Sequence, residues 1–170
     1  MTSTTRYGLI LAGSQAAIAL LLFGLGLDTV DSLSTITGTI TTAILAYICY
    51  LNLRDFRDLE NNGYMTVGEG LKRGFKTSLV GGGSLAVFYY LYYKFINTTF
   101  LERLLIREEE KLEEQGLSAD QLEQTMGWIE MGFRPEWQAA LTFFGIVFFV
   151  FVASLILSAF MKKSNPNAPW

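Results

Sequence analysis

The sequence of 170 residues contains no histidine and a single cysteine, Cys49. Histidine is the commonest general base, the commonest metal ligand and the usual pH-sensitive side chain, so its absence removes the simplest routes to acid–base catalysis and metal binding. One cysteine excludes a disulfide within the chain and a thiolate metal site. No nucleophile has a base at a useful spacing, and no carboxylates are paired inside an apolar stretch. We therefore predict no catalytic, cofactor-binding or metal-binding residues, and no enzymatic activity.

Basic residues are also scarce. Thirteen Lys and Arg stand against sixteen Asp and Glu, a formal net charge of −3, and no basic stripe alternates with aromatic residues. This composition argues against a nucleic acid as a partner. Charges are nearly absent from the apolar stretches too, since Asp28, Glu69 and Lys94 lie at their edges. A proton- or ion-coupled transporter normally keeps an ionisable group near the middle of the membrane, and the sequence predicts none there.

Apolar residues, in contrast, make up 51% of the chain. They concentrate in four stretches, 7–27, 33–53, 74–96 and 139–161. Each is long enough to cross a bilayer, since a spanning helix needs roughly 20 residues. We therefore predict an all-α membrane protein with one domain over residues 1–170, in which four transmembrane helices form a bundle surrounded by the lipid bilayer.

The Lys and Arg residues beside these stretches predict an orientation. They lie near the amino terminus, in the connection 54–73 and near the carboxyl terminus, whereas the first loop contains no Lys or Arg. Short cytoplasmic segments are enriched in Lys and Arg, so both termini and the connection 54–73 are predicted in the cytoplasm. The loop 97–138 contains four basic residues but ten acidic ones, and we predict that it lies outside.

The cytoplasmic connection is predicted to be the turn of a long helical hairpin. Arg54 and Asp58 have the i,i+4 spacing of a helical ion pair, and residues 61–63 (Asn-Asn-Gly) form a stop signal. Thr66 and Glu69 have the spacing of a capping box, in which Thr66 would be the N-cap. A new helix is therefore predicted to begin at this point and to run directly into the third span.

The external loop is predicted to contain two amphipathic helices. Apolar residues of the first share one face and Gly116 ends it; Ser118 and Gln121 then have capping-box spacing at the start of the second. These helices are too polar to span a membrane, so we expect them to lie on its surface or to cap the bundle. Aromatic residues near the same interface favour an anchoring belt over a ligand cage; they are Phe88, Tyr89, Tyr90, Tyr92, Tyr93, Trp128, Phe133 and Trp137.

Several segments together resemble a known family. They are Asn62–Phe75 (NGYMTVGEGLKRGF), the run from Tyr92–Ile96 through Glu113–Ser118, and the pair Lys162-Lys163 after the last span. In these segments the chain is similar to a domain-of-unknown-function family of small four-span membrane proteins from Bacteroidetes, and the resemblance covers nearly the whole chain. It implies a bacterial inner-membrane location and the same four-helix layout. It implies no activity and transfers no site residue.

Small residues recur at every fourth position in the first three spans. The rows are Gly8, Ala12 and Ala16; Ser34, Gly38, Thr42 and Ala46; and Gly70, Gly74, Ser78, Gly82 and Ala86. Such rows let helix backbones approach closely in lipid. They serve either packing within the chain or contact with a second copy or another membrane protein. The run Gly81–Gly83 similarly allows either a close helix crossing or a kink.

These features favour a structural, interaction or accessory protein of the inner membrane without catalytic activity. The alternative is a small transporter or channel, in which the second span and the triple glycine would be the moving parts. The hydroxyl residues of the second span fall on two faces, which fits hydrogen bonding between helices better than a pore lining.

Overall fold

The computed structural model describes residues 2–27 and 33–164, and the side chains of these residues except 33–36. This part of the chain forms six α-helices and two single π-helical turns. The helices are α1 (Ser3–Gly24), α2 (Leu33–Asp55), α3 (Val67–Leu91), α4 (Phe100–Glu114), α5 (Ala119–Phe133) and α6 (Pro135–Met161), and the π turns Phe56–Glu60 and Tyr92–Ile96 extend α2 and α3. The predicted all-α class is confirmed for the described residues.

Four of the helices form a ring. α3 packs most extensively against α6 and α1, and α2 closes the ring through contacts with α6 and α1. The order around the bundle is therefore α1, α3, α6, α2. A small apolar core joins α1, α2 and α6; it consists of Tyr7, Leu11, Leu45, Ile48, Cys49 and Val150. The helices α4 and α5 pack mainly against each other, and α5 also contacts α6.

The start of α1, the turn between α2 and α3 and the end of α6 meet at one end of the bundle. The backbones of Met65 and Lys163 exchange two hydrogen bonds of 3.1 and 2.9 Å. Asn62 and Gly63 have φ angles of 53° and 81°, the left-handed conformation in which a chain reverses direction after a helix. We call residues 3–6, 54–76 and 161–163 the basic end, because they contain eight of the thirteen Lys and Arg residues.

Both predicted capping boxes are present. The Thr66 hydroxyl accepts from the Glu69 N–H, the Glu69 carboxylate accepts from the Thr66 N–H, and Ser118 and Gln121 repeat the arrangement at the start of α5. Gly116 ends α4 with a φ of 74°. The predicted ion pair of Arg54 with Asp58 is wrong. The π turn changes the helical register after Asp55, so that Arg54 pairs with Asp55 at 3.1 Å.

Two of the described helices, α1 and α6, are long and apolar enough to cross a membrane. They contain most of the predicted spans 7–27 and 139–161, although α1 ends at Gly24 and α6 already begins at Pro135. The predicted spans 33–53 and 74–96 correspond to α2 and to α3 with its π turn, which do not meet the same criterion. Hydroxyl residues lower the hydropathy of α2, and glycine and basic residues lower that of α3.

Candidate functional site

The most polar buried group in the described chain is the guanidinium of Arg73, whose side chain is only 8% exposed. Arg73 lies in the second turn of α3, in a position set by the capping box at Thr66 and Glu69. The start of α1 and the end of α2 surround it. A permanent positive charge in such a position requires hydrogen-bond acceptors and a counter-charge.

Glu60 supplies the counter-charge. Arg73 Nη1 donates to one Glu60 carboxylate oxygen at 3.0 Å, and Nη2 donates to the other at 2.9 Å. This is the paired geometry that makes arginine–carboxylate contacts strong and directional. The Ser3 hydroxyl, at the start of α1, hydrogen-bonds to both partners. Three segments of the chain are thereby tied together at one point.

An amide completes the arrangement on the inner side. Arg73 Nε donates to Asn52 Oδ1 at 3.0 Å, and Asn52 Nδ2 donates to the Thr77 hydroxyl at 3.0 Å. Asn52 and Thr77 are 1% and 2% exposed, so each depends on the other groups for its hydrogen bonds. We call Ser3, Asn52, Glu60, Arg73 and Thr77 the arginine cluster.

The π turn after α2 positions Glu60. The N–H of Asn61 donates to the carbonyl of Phe56 at 3.0 Å, an i→i+5 bond that widens the last turn. The same turn places the Phe56 ring 5.3 Å from the Arg73 guanidinium carbon, within the range of a cation–π contact. A π turn at the end of a helix therefore delivers both a carboxylate and an aromatic face to one buried cation.

A second charged group lies beside the cluster. The Tyr7 hydroxyl donates to the Asp55 carboxylate. The Nη2 atoms of Arg54 and Arg6 lie 3.1 and 3.3 Å from oxygens of the same carboxylate. The bond from Tyr7, with smaller contributions from Arg54 and Arg6, holds the pKa of Asp55 below its ordinary value. The pKa of Glu69 is also lowered, because its carboxylate accepts from the backbone and hydroxyl of Thr66.

The end of α6 is joined to the same region. Arg57 pairs with Asp58 at 2.6 Å and donates to the carbonyl of Met161 at 3.4 Å. The basic end is thus a network in which cations and carboxylates bind one another and the ends of four helices. Chemically, this arrangement clamps helices together. No group of His, Cys, Asp and Glu that could hold a metal ion occurs within residues 2–27 and 33–164.

Comparison with known proteins identifies the family. A family model described as "Protein of unknown function (DUF4199)" matches residues 6–163, most of the chain. The chain belongs to the DUF4199 family. No curated protein and no solved structure matches it. The match confirms the resemblance to a family of unknown function.

In this DUF4199 chain, the arginine cluster is the feature that sequence reasoning missed. The predicted boundaries place Arg73 at the end of the cytoplasmic connection 54–73 and Asn52 within the span 33–53, and neither is predicted as a site residue. A signal was present: Asn52 and Gln15 are isolated amides inside apolar runs. Such residues rarely lie in a bundle without a dedicated partner, so Asn52 could have been paired with the nearest polar residues of the next helix.

The rows of small residues serve packing within the chain on α1 and α3. A Cβ atom added to Gly74 would lie 2.5 Å from the Ser154 Cβ of α6, and one added to Gly8 would lie 2.8 Å from Val80. The row on α2 is different, because a Cβ at Gly38 would meet no atom within 4 Å and Thr42 is exposed. Ser34, in the same row, lies outside the described side chains.

The predicted aromatic belt is only partly observed. Trp128 and Trp137 are 68% and 50% exposed, as an interfacial anchor requires. Tyr92 is instead 4% exposed and stacks on Phe88. Its neighbour Tyr93 stacks on Phe100 of α4. Tyr92 and Tyr93 therefore pack within the bundle, which corrects the interpretation that these two tyrosines anchor the helix.

Proposed function

We propose that this DUF4199 protein is a four-span protein of a bacterial inner membrane, a structural, interaction or accessory subunit without catalytic activity. The observation that carries the proposal is the contrast between its two kinds of surface. At the basic end, Arg57, Glu60 and Arg73 are engaged in clamping helices, while the outer faces of the ring expose large apolar side chains.

The exposed apolar side chains support a membrane location. Only 11% of the most apolar stretch of α6 is buried. Its side chains Phe144, Phe148 and Phe160 are 67%, 72% and 85% exposed. A core helix of a water-soluble protein would bury such residues, whereas acyl chains solvate them. Tyr47 of α2 and Val87 of α3, each 61% exposed, extend the same argument to the remaining two helices of the ring.

The distribution of charge supports cytoplasmic termini. The basic end contains eight Lys and Arg residues but only four Asp and Glu, whereas the helices α4 and α5 at the far end are strongly acidic. Positive charges are retained on the cytoplasmic side of a membrane. The bridge between Met65 and Lys163 holds the hairpin turn and the end of α6 on the same side.

The state of Arg73 favours a structural role over coupled transport. A coupling group changes its charge or its partner during the cycle, but an arginine does not lose its proton in proteins. Arg73 is also bound by Glu60 through two hydrogen bonds and by Asn52 through a third. Such a group stabilises one arrangement of helices.

The row of small residues on α2 provides a surface on which another protein chain can bind. Its small residues leave a shallow strip around Gly38 and Thr42, and small residues let another spanning helix approach closely. We expect a second membrane protein or a second copy to bind there. Thr42→Phe should release the partner, while Ile40→Phe, which places the same aromatic side chain at another exposed position of α2, should not.

The experiment is extraction of native membranes in mild detergent, followed by measurement of the mass and stoichiometry of the purified complex. A complex of fixed composition would support the proposal if it dissociates in the Thr42→Phe variant and stays intact in the Ile40→Phe variant. The proposal would be contradicted if the protein from native membranes had the mass of a single chain, both after gentle extraction and after cross-linking before extraction.

The alternative is a small transporter or channel, and a cavity between α1, α2 and the end of α3 favours it. Gln15 and Thr41 contribute polar atoms to this cavity. Purified protein in liposomes distinguishes the two functions. A structural protein gives no solute uptake driven by a proton gradient, whereas uptake that stops on Gln15→Leu would establish transport.

A further inference from the structure

Gln15 has a buried side-chain amide. It lies on the inner face of α1, four residues after Leu11, and is 4% exposed. Its Nε2 atom has no hydrogen-bond partner among the described residues. A buried polar group in this state is destabilising relative to an apolar residue of the same shape, and native structures contain few of them. An unpaired donor of this kind therefore requires an explanation.

The amide lines a cavity of about 200 Å³. The walls come from α1, α2 and the end of α3, and include Gln15, Leu22, Gly38, Thr41, Tyr89 and Tyr93. Their surface is mainly apolar and aromatic, and no Lys, Arg, Asp or Glu is among the described lining residues. A charged ligand would find no counter-charge there, so the walls fit a neutral one.

The Thr41 hydroxyl does not compete for the ligand. It donates to the carbonyl of Thr37 at 2.6 Å, a bond within its own helix. Among the described lining residues, Gln15 Nε2 is thus the buried donor that has no hydrogen-bond partner. A molecule that accepts this bond needs an oxygen with a lone pair and an apolar body, and a carbonyl group on a ring meets both requirements.

The size of the cavity fits one ring. An apolar cavity of roughly 150 Å³ holds benzene and stays free of water, and this one is somewhat larger. A cluster of water molecules filling it would need about three hydrogen bonds for each water, and Gln15 Nε2 is the buried lining atom left without a partner among the described residues. The apolar walls therefore favour an organic occupant over water.

We propose that the cavity around Gln15 binds a neutral, ring-sized apolar molecule that carries a carbonyl oxygen, held by a hydrogen bond from Gln15 Nε2. The proposal rests on the membrane location given above. Gln15 lies about 18 Å along α1 from Ser3 and about 14 Å from Gly24, at 1.5 Å per residue, near the middle of a hydrocarbon core about 30 Å thick. The ester carbonyls of phospholipids lie at its boundaries, so the ligand is a separate molecule dissolved among the acyl chains.

The test compares two probes of nearly equal shape, para-fluoroacetophenone and para-fluorocumene, of which only the ketone can accept a hydrogen bond. Their binding to the protein in phospholipid nanodiscs is followed by fluorine NMR, with empty nanodiscs as the blank for partitioning. The wild-type protein should bind the ketone about fivefold more tightly than the hydrocarbon, the factor expected for one hydrogen bond. Equal affinities, or no binding above the blank, would overturn the proposal.

Three variants locate the bound probe. Gln15→Leu should bind both probes equally, because the donor is gone while the apolar walls remain. Gly38→Leu should bind neither, since its side chain enters open space at the cavity. Gly13→Leu adds the same side chain at an exposed position of α1 with no atom within 4 Å and should leave both affinities unchanged. Retained ketone preference in Gln15→Leu would place the donor elsewhere and refute the proposed site.

Ether-linked phospholipids, which lack the ester carbonyl, distinguish the source of the carbonyl. The thermal stability of the wild-type protein should be the same in ester and ether lipids. A loss of stability in ether lipids that Gln15→Leu does not share would identify a lipid ester as the occupant and overturn the proposal of a separate molecule. Thr42→Phe should keep the ketone preference, so that loss of a protein partner and loss of the ligand are measured independently.

Discussion

Arg73 and Glu60 form an ion pair whose two members are buried to different degrees. The Arg73 side chain is 8% exposed and that of Glu60 is 38% exposed. If Arg73 is removed, water reaches the Glu60 carboxylate and solvates it. If Glu60 is removed, the guanidinium keeps only the neutral acceptors Asn52 and Ser3. Loss of one partner from a buried pair is costly because the other charge is left uncompensated, so the cost should fall mainly on loss of the acid.

We therefore predict that Glu60→Leu destabilises the protein by about 2 kcal/mol, less than a fully buried pair loses because Glu60 is partly exposed. The double variant with Arg73→Met should be more stable than Glu60→Leu alone, since no uncompensated charge remains. Thermal unfolding in detergent measures both. Glu123→Leu, at an exposed position of α5, is the control and should change stability by less than about 0.5 kcal/mol. A double variant less stable than Glu60→Leu would contradict the argument.

Asp55 and Glu69 predict how stability depends on pH. Both carboxyl groups have a lowered pKa in the folded protein, Asp55 chiefly through the Tyr7 hydroxyl and Glu69 through Thr66. A lowered pKa means that the native state holds the ionised form more strongly than the unfolded chain does. The resulting stability is fully present above the ordinary values of 3.8 and 4.5, and it is lost as the pH falls through the lowered ones.

The melting temperature should therefore be constant near neutrality and fall as the pH drops below about 4. Asp55→Asn should melt at a lower temperature than the wild-type protein at pH 7, and the gap should narrow as the pH approaches 3. The measurement is thermal unfolding at a series of pH values with constant salt. A gap that stays constant over this range would show that the Asp55 charge does not contribute.

Local signals in the sequence predicted the caps, whereas the partners of Arg73 could not be predicted. A capping box depends on four consecutive residues, so Thr66 with Glu69 was recognisable from spacing alone. The bonds of Arg73 to Glu60, Asn52 and Ser3 join residues 13, 21 and 70 positions apart. They depend on how α1 and α2 pack and on a π turn that no short pattern specifies. The same π turn explains why the ion pair of Arg54 with Asp58, predicted from their i,i+4 spacing, does not form.

At the scale of elements, α3 is the central helix because it touches both α1 and α6 through glycine. A Cβ at Gly81 would lie 3.0 Å from the Gly8 carbonyl oxygen of α1, and one at Gly82 would lie 3.3 Å from the Phe143 carbonyl oxygen of α6. Consecutive residues of a helix point about 100° apart, so two neighbouring glycines serve two neighbouring helices. α3 is continuous through this run, which supports the close-crossing interpretation of the glycines over a hinge.

The contact between α3 and α6 gives a compensating pair of substitutions. Gly74→Ala places a Cβ 2.5 Å from the Ser154 Cβ, closer than unbonded carbon atoms tolerate, and should cost about 1–3 kcal/mol by overpacking. Adding Ser154→Gly removes the obstructing atoms and should recover much of that loss. A double-mutant cycle on thermal stability in detergent measures the coupling.

Gly83→Ala is the control for this cycle. A Cβ at Gly83 would meet no atom within 4 Å, so the substitution should be neutral or stabilising by up to about 1 kcal/mol, the helix-propensity difference between the two residues. If Gly74→Ala and Gly83→Ala were equally damaging, the glycines of α3 would serve flexibility, and the packed contact with α6 would not be the reason for them.

At the scale of the whole molecule, the number and length of the helices could be predicted from the sequence, but their order in the ring could not. Apolar stretches and caps mark each helix locally. The order α1, α3, α6, α2 depends on which small residues face which neighbour, and the α2 row faces none within the described chain near Gly38. The cavity at Gln15 is a consequence of that order, because α2 and the end of α3 leave space beside α1.

The ring also fixes how the three segments of the basic end are related, and this gives a prediction for the topology. Met65 pairs with Lys163 and Ser3 with Glu60, so the amino terminus, the hairpin turn and the end of α6 cannot lie on different sides of a membrane. By the positive-inside rule we predict that this side is the cytoplasm. Reporter fusions at residue 62 and at the carboxyl terminus should both report the cytoplasm, and a fusion at Gly116 between α4 and α5 should report the outside. If the fusion at Gly116 reported the cytoplasm, α3 and α6 would not both cross the bilayer, and the four-span arrangement would have to be replaced by one in which these helices lie within a single leaflet.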